Sequence, residues 1–200
     1  MILDIWKKQN LLTFIGIAFA VLGLYFCFID MVDYSIIMLI LSGICDAFDG
    51  VFARKVGKGN KKQYGVHLDS LADIVASGIL PIAICMALGY TRIIHIIVYI
   101  IFIICGLTRL SYYNVNSKDD KSFTGVPITC STFALPVIYL IQKNEILIIL
   151  TLLILAILEV SNNIKIKKPN MKIRIMLSII GIIIIVLIIL FGILKIKINI

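Results

Sequence analysis

The sequence predicts an all-α integral membrane protein of a single domain, and three observations carry that prediction. Hydrophobic residues make up 61% of the 200-residue chain, charged residues only 15%, and mean hydropathy is +1.09. Soluble domains hold about 45–50% apolar and about 25% charged residues. The apolar residues, isoleucine foremost, lie in long unbroken runs, the signature of segments that cross a bilayer. Lys and Arg collect at the ends of those runs, where membrane proteins keep them.

Runs of spanning length fall at about 11–29, 34–53, 66–88, 92–114, 124–142, 145–162 and 172–194, so seven helices are expected. The last is nearly pure Ile, Leu and Val with Gly181 and Gly192, and reads as a lipid-facing addition. Ahead of the first run, Ile2, Ile5 and Trp6 with Lys7 and Lys8 suit a short interfacial helix over 1–10. No small-residue cleavage site follows the basic flank, so the first run is expected to stay as a helix.

Charge sets the expected orientation. With the N-terminus cytoplasmic, that side holds fourteen basic residues, among them Lys55, Lys58, Lys118, Lys121, Lys165 and Lys172. The opposite side holds four, Arg92, Lys143, Lys195 and Lys197. The reading is therefore a multi-pass cell-membrane protein with its N-terminus inside. The formal net charge of +8 is accounted for by this asymmetry and by anionic headgroups, so no nucleic-acid partner is expected. The five cysteines stand singly in apolar stretches without a CxxC pair, which argues against zinc and for buried thiols. His95 is expected to be packed rather than catalytic.

Against this background the segment CDAFDGVFARKVGKGNKKQYGVHLDSLAD, residues 45–73, is out of place. A carboxylate within a membrane segment is costly unless something compensates it. Asp46 and Asp49 are three apart and Asp69 and Asp73 four apart, so each pair shares one helix face. The two runs are joined by a short basic loop and pack antiparallel, so the pairs can face one another near the cytoplasmic ends. Four converging carboxylates repel unless cations neutralise them. An all-oxygen set suits hard divalent ions, Mg²⁺, Mn²⁺ or Ca²⁺, and two such ions about 3.5–4 Å apart are a standard device for phosphoryl transfer. Gly50, Ala53 and Gly65 leave room for a phosphate or base, and Arg54 with the following lysines opposes phosphate charge.

The same stretch resembles the signature of the CDP-alcohol phosphotransferases, D-x2-D-G-x2-A-R followed by G-x3-D-x3-D. Asp46, Asp49, Gly50, Ala53, Arg54, Gly65, Asp69 and Asp73 fill every position, although the loop between Arg54 and Gly65 is longer than is usual in the family. The resemblance covers roughly 10–162 and implies a core of six helices over 11–162, with 172–194 outside it. It also implies a reaction, the displacement of CMP from a CDP-linked lipid by an alcohol hydroxyl. On that analogy Asp46, Asp49 and Asp69 hold two divalent metals, and Asp73 contributes to the metal site and acts as general base. Gly50, Ala53 and Gly65 line the cytidine pocket, with Asp49 and Arg54 at the CDP-lipid. Asn10 and Thr13 match the polar start of the family's first helix, where a helix cap is the plainer role. The resemblance further implies a homodimer in contact with membrane lipids.

The acceptor rests on a second stretch, residues 106–136. It resembles the phosphatidylserine synthase branch through Arg109, Leu110, Tyr113 and Asn114, followed by Phe123, Gly125, Val126 and Pro127. L-serine brings a carboxylate, an ammonium and a hydroxyl. Arg109 could pair with the first, Asp119 or Asp120 could attract the second, and Asn114, Ser122 and Thr124 could supply hydrogen bonds. A snorkelling arginine is the plainer role for Arg109. The expected substrates are L-serine and a CDP-activated diacylglycerol or its ether-lipid equivalent. The alternatives are glycerol-phosphate or inositol-phosphate as acceptor, or, in a different class, a cation-coupled transporter, which would often carry internal repeats and broken helices at mid-membrane.

Overall fold

A computed structural model of the chain describes residues 8–56, 62–116, 122–142, 144–167 and 169–198. Residues 1–7 of the expected interfacial segment, Asp119, Asp120, and the lysines at 58, 61, 118, 121, 143 and 168 lie outside the described residues, while Lys8–Asn10 form a 3-10 turn. Among those described, the chain forms seven helical rods: α1 (Leu11–Phe28), α2 (Val32–Val56), a rod made of α3 (Lys62–Asp73) and α4 (Leu80–Ala87), α5 (Ile93–Asn116), α6 (Ser131–Ile141), α7 (Glu145–Glu159) and α8 (Met171–Ile198). Five are long and apolar enough to cross a membrane, which makes this a multi-pass integral membrane protein.

The other two rods are shorter than their apolar runs. Gly125 has φ +74 and Pro127 has ψ 139, so the chain turns into helix only at the 3-10 turn Ile128–Cys130. Gln142 is extended, and the Asn144 side chain restarts the helix by accepting from the Ile146 and Leu147 amides at 2.9 and 3.3 Å. The 15 residues of α7 rise only ~22 Å at 1.5 Å each, short of the ~30 Å hydrocarbon core. One small β element accompanies the helices. Strand β1 (Ser122–Thr124) pairs antiparallel with β2 (Lys165–Lys167), Phe123 opposite Ile166.

Lipid gives helices no hydrophobic reason to associate, so close packing and internal hydrogen bonds must do it. On α1 the buried stripe is Gly16, Ala20, Gly23 and Cys27, and α2 lies close enough for hydroxyls to reach the α1 backbone. Ser42 donates to the Gly16 carbonyl at 2.8 Å and Ser35 to that of Gly23 at 2.9 Å. Around this pair, Ile36, Leu39, Leu80, Phe102, Ile128 and Leu152 form a core with almost no exposed surface. Phe28 and Ile93, 87% and 77% exposed, mark the lipid-facing outside.

Between α3 and α4 the backbone widens into a π-turn, Ile74–Ile79. Pro81 has no N–H to give the Ser77 carbonyl four residues back. Ser131 of α6 donates to that carbonyl instead, at 2.6 Å. Helix α8 is more than the lipid-facing addition its composition suggests. Its Ser178, Gly181, Ile184 and Ile188 are buried, and a Cβ on Gly181 would stand 2.9 Å from Ile40 of α2. His95 is buried, with Nε2 2.9 Å from Glu145, as its packed reading expects.

Candidate active site

Two antiparallel helices bring the four aspartates together. Asp46 and Asp49 lie on α2, Asp69 and Asp73 at the end of α3. One carboxylate oxygen from each of Asp46, Asp49 and Asp69 lies within 4.8 Å of the others. Asp73 lines the same cleft and lies within electrostatic reach of Asp46, as Asp69 does of Asp49. Asp49 and Asp73 are buried, 8% and 9% exposed. Such a set, all oxygen and strongly anionic, is the donor chemistry that hard divalent ions take, and their charge would offset the repulsion among the carboxylates.

The cleft above them has walls from α1, α2, α3 and the π-turn, including Thr13, Gly16, Ser42 and Ala76. The four aspartates line it together with these small and polar residues. Thr13 donates to Asp49 Oδ2 at 3.1 Å, orienting that carboxylate. Asn10 is 4% exposed, makes no side-chain cap on α1, and has its Oδ1 3.8 Å from where a Cβ on Gly65 would stand. Gly50 and Ala53 are half-buried on α2, and the exposed Arg54 folds back so that an Nη lies 3.6 Å from a Gly50 Cβ position.

The residues expected at the acceptor are spread more widely. Arg109 of α5 is 6% exposed, so it is not a snorkelling side chain. It stacks 5.8 Å from the centre of the Tyr113 ring and feels the charges of Asp73 and Glu159. Asn114 lies against α3, its Oδ1 accepting from Ser70 at 3.1 Å. Thr124 is half-buried in the β1–β2 ribbon, opposite Lys165. Ser122 starts that ribbon, and its side chain lies outside the described ones.

Two residues escape the sequence reading. Arg174 of α8 donates through Nη1 to the Ala47 carbonyl, inside the Asp46–Asp49 turn, and through Nε to Pro169 at 3.2 Å. Its charge bears on Asp46 and Asp69. In sequence Arg174 counts only as one more cytoplasmic charge, and no spacing links it to α2. Glu159 ends α7 with 2% exposure. The available signal was an acidic residue closing an apolar run.

The chain is similar to several known proteins. A protein of Methanothermobacter thermautotrophicus named archaetidylserine synthase is 31% identical over 132 residues, 66% of this chain and 57% of that one. A CDP-diacylglycerol–serine O-phosphatidyltransferase of Saccharomyces cerevisiae is 35% identical over 116 residues, 52% of this chain and 41% of its own. One of the same name from Bacillus subtilis is 35% identical over 142 residues, 70% of this chain and 77% of its own. The chain thus spans about half the length of the first two. The family model for CDP-alcohol phosphatidyltransferase matches residues 8–198, through α8, and the chain belongs to that family.

Proposed function

We propose that the protein is a membrane-embedded transferase of phospholipid synthesis. It moves a phosphatidyl or archaetidyl group from a CDP-activated lipid to the hydroxyl of L-serine and releases CMP. The observation that carries this reading is the convergence of Asp46, Asp49, Asp69 and Asp73 across α2 and α3. The names borne by the relatives support serine as the acceptor.

In this reading Asp46, Asp49, Asp69 and Asp73 bind two divalent ions, Mg²⁺ or Mn²⁺, with Ca²⁺ able to take the same donors. Bound there, the ions supply positive charge to the pyrophosphate and ease ionisation of a nearby hydroxyl. Asp73, at the rim of the three-carboxylate group, accepts the proton of the serine hydroxyl. The hydroxyl oxygen bonds to the lipid-bearing phosphorus as its bond to the CMP oxygen breaks. Gly50, Ala53, Gly65, Asn10 and Thr13 bound the nucleotide, with Arg54 at its phosphates. Arg109 receives the serine carboxylate, and Asn114, Ser122 and Thr124 complete the acceptor side. The basic-residue asymmetry supports a cytoplasmic N-terminus and active site, and the family resemblance supports a homodimer.

The decisive assay offers purified protein CDP-diacylglycerol, Mg²⁺ or Mn²⁺ and a panel of alcohols. CMP release that depends on serine and stops on chelation is the expected result. Release with glycerol-phosphate or inositol-phosphate, and none with serine, would overturn the acceptor.

A further inference from the structure

The chemistry described above leaves Glu159 without a task, although its placement is unusual. It is 2% exposed at the end of an otherwise apolar helix, and its Oε2 has no hydrogen-bond partner among the described residues. A Cβ on Gly106 would stand 3.4 Å from that oxygen, so the carboxylate lies close to the α5 backbone at 106. Gly106 precedes Arg109 by three residues on α5, on the same face. Arg109 lies within electrostatic reach of both Glu159 and Asp73. The same end of α7 also holds the loop before α6. The Leu158 carbonyl accepts from the Val126 amide at 3.0 Å and that of Ile164 from Gly125 at 2.9 Å. Gly125, at φ +74, abuts the Glu159 carbonyl where a Cβ would have to go.

We propose that Glu159 is a specificity-determining residue of the acceptor site, reading the ammonium of the amino acid whose carboxylate Arg109 reads. The inference rests on serine being the acceptor. Arg109 alone would draw in any anion, a phosphorylated alcohol included. With a carboxyl group within reach of it, the site is complementary to a zwitterion, whose ammonium would hold Glu159 ionised, and less favourable to a phosphate dianion. Burial strengthens both effects, because charges act harder on one another away from water. Rejection of the wrong acceptor by an opposing charge is a common route to specificity. The ammonium would also supply the hydrogen bond that Glu159 Oε2 lacks.

The test compares kcat/KM for L-serine and for 3-hydroxypropanoate, which keeps the hydroxyl and carboxylate and lacks the ammonium, with CDP-diacylglycerol and Mg²⁺. Wild-type protein should prefer serine at least about tenfold, the worth of one charge-assisted hydrogen bond. In Glu159→Gln the preference should collapse towards unity and KM for serine should rise by a similar factor. KM for the CDP-lipid should stay unchanged, and sn-glycerol 3-phosphate should inhibit more strongly. Glu159→Asp, which keeps the charge, should keep part of the preference. Equal use of both alcohols by the wild type overturns the inference even if no variant folds. So does a Glu159→Gln protein that melts lower yet discriminates as before. A wild type that releases CMP with another alcohol and not with serine instead overturns the acceptor reading beneath it.

Discussion

Asp73 stands apart from the other aspartates. Asp46, Asp49 and Asp69 offer oxygens within 4.8 Å of one another, whereas Asp73 meets them through Asp46 and also faces the charge of Arg109. On the proposed reading, a group between the carboxylates that would hold metal and the acceptor side is placed for proton transfer. Asp73→Asn should therefore lower kcat by about 10²–10⁴-fold while CDP-lipid binding, followed by equilibrium dialysis, survives. Normal turnover would remove the general-base role. Thr13 tests the site from the other side. Its hydroxyl holds Asp49 at 3.1 Å, and a hydrogen bond to a charged group contributes about 1.5–3 kcal/mol. Thr13→Val should raise the half-saturating Mg²⁺ concentration by roughly tenfold, read from CMP release across a metal titration, with the fold unchanged.

Among the elements, the α3–α4 rod shows how one residue type shapes a site. Pro81 denies the Ser77 carbonyl its helical donor, the backbone widens over Ile74–Ile79 directly after Asp73, and Ser131 makes good the loss at 2.6 Å. Ser131→Ala strands a buried carbonyl. Interhelical hydrogen bonds in membranes are worth about 1 kcal/mol, so melting in detergent should fall by roughly 2–4 °C. An unchanged melting point would show that the π-turn stands without α6. Helix α8 offers a second check. Gly181→Leu would press on Ile40, 2.9 Å from the Cβ position, and overpacking costs about 1–3 kcal/mol. The variant should melt lower and lose activity, because displacing α8 withdraws Arg174 from Ala47. Full activity would mean that Arg174 does nothing for the aspartate turn.

For the molecule as a whole, the question is which side the acidic cleft faces. The basic ends of the helices predict that the α2–α3 end is cytoplasmic. Cysteines introduced as K55C and K172C should react with an impermeant maleimide only in inside-out vesicles, and R92C only in right-side-out ones. The reverse pattern would invert the topology and turn the acidic cleft away from the cytoplasm.

The hydropathy runs alone determined the helices, because a membrane segment must satisfy its own backbone and has few alternatives to helix. The D-x2-D and D-x3-D spacings likewise placed the four aspartates, since helical periodicity turns spacing directly into a shared face. Local regularity of this kind is written in the chain. The β1–β2 ribbon and the Ser131 bond that closes the π-turn were not legible there, whereas the turns at Gly125, Pro127 and Asn144 that shorten α6 and α7 are local. The ribbon and the bond each depend on a partner distant in sequence, such as Lys165 for Thr124 or Ser131 for Ser77. The same holds for Arg174 against Ala47 and for Glu159 beside Gly106 and Arg109. Their significance arises only when helices far apart in the chain pack together, and no short-range pattern encodes which buried charge will meet which.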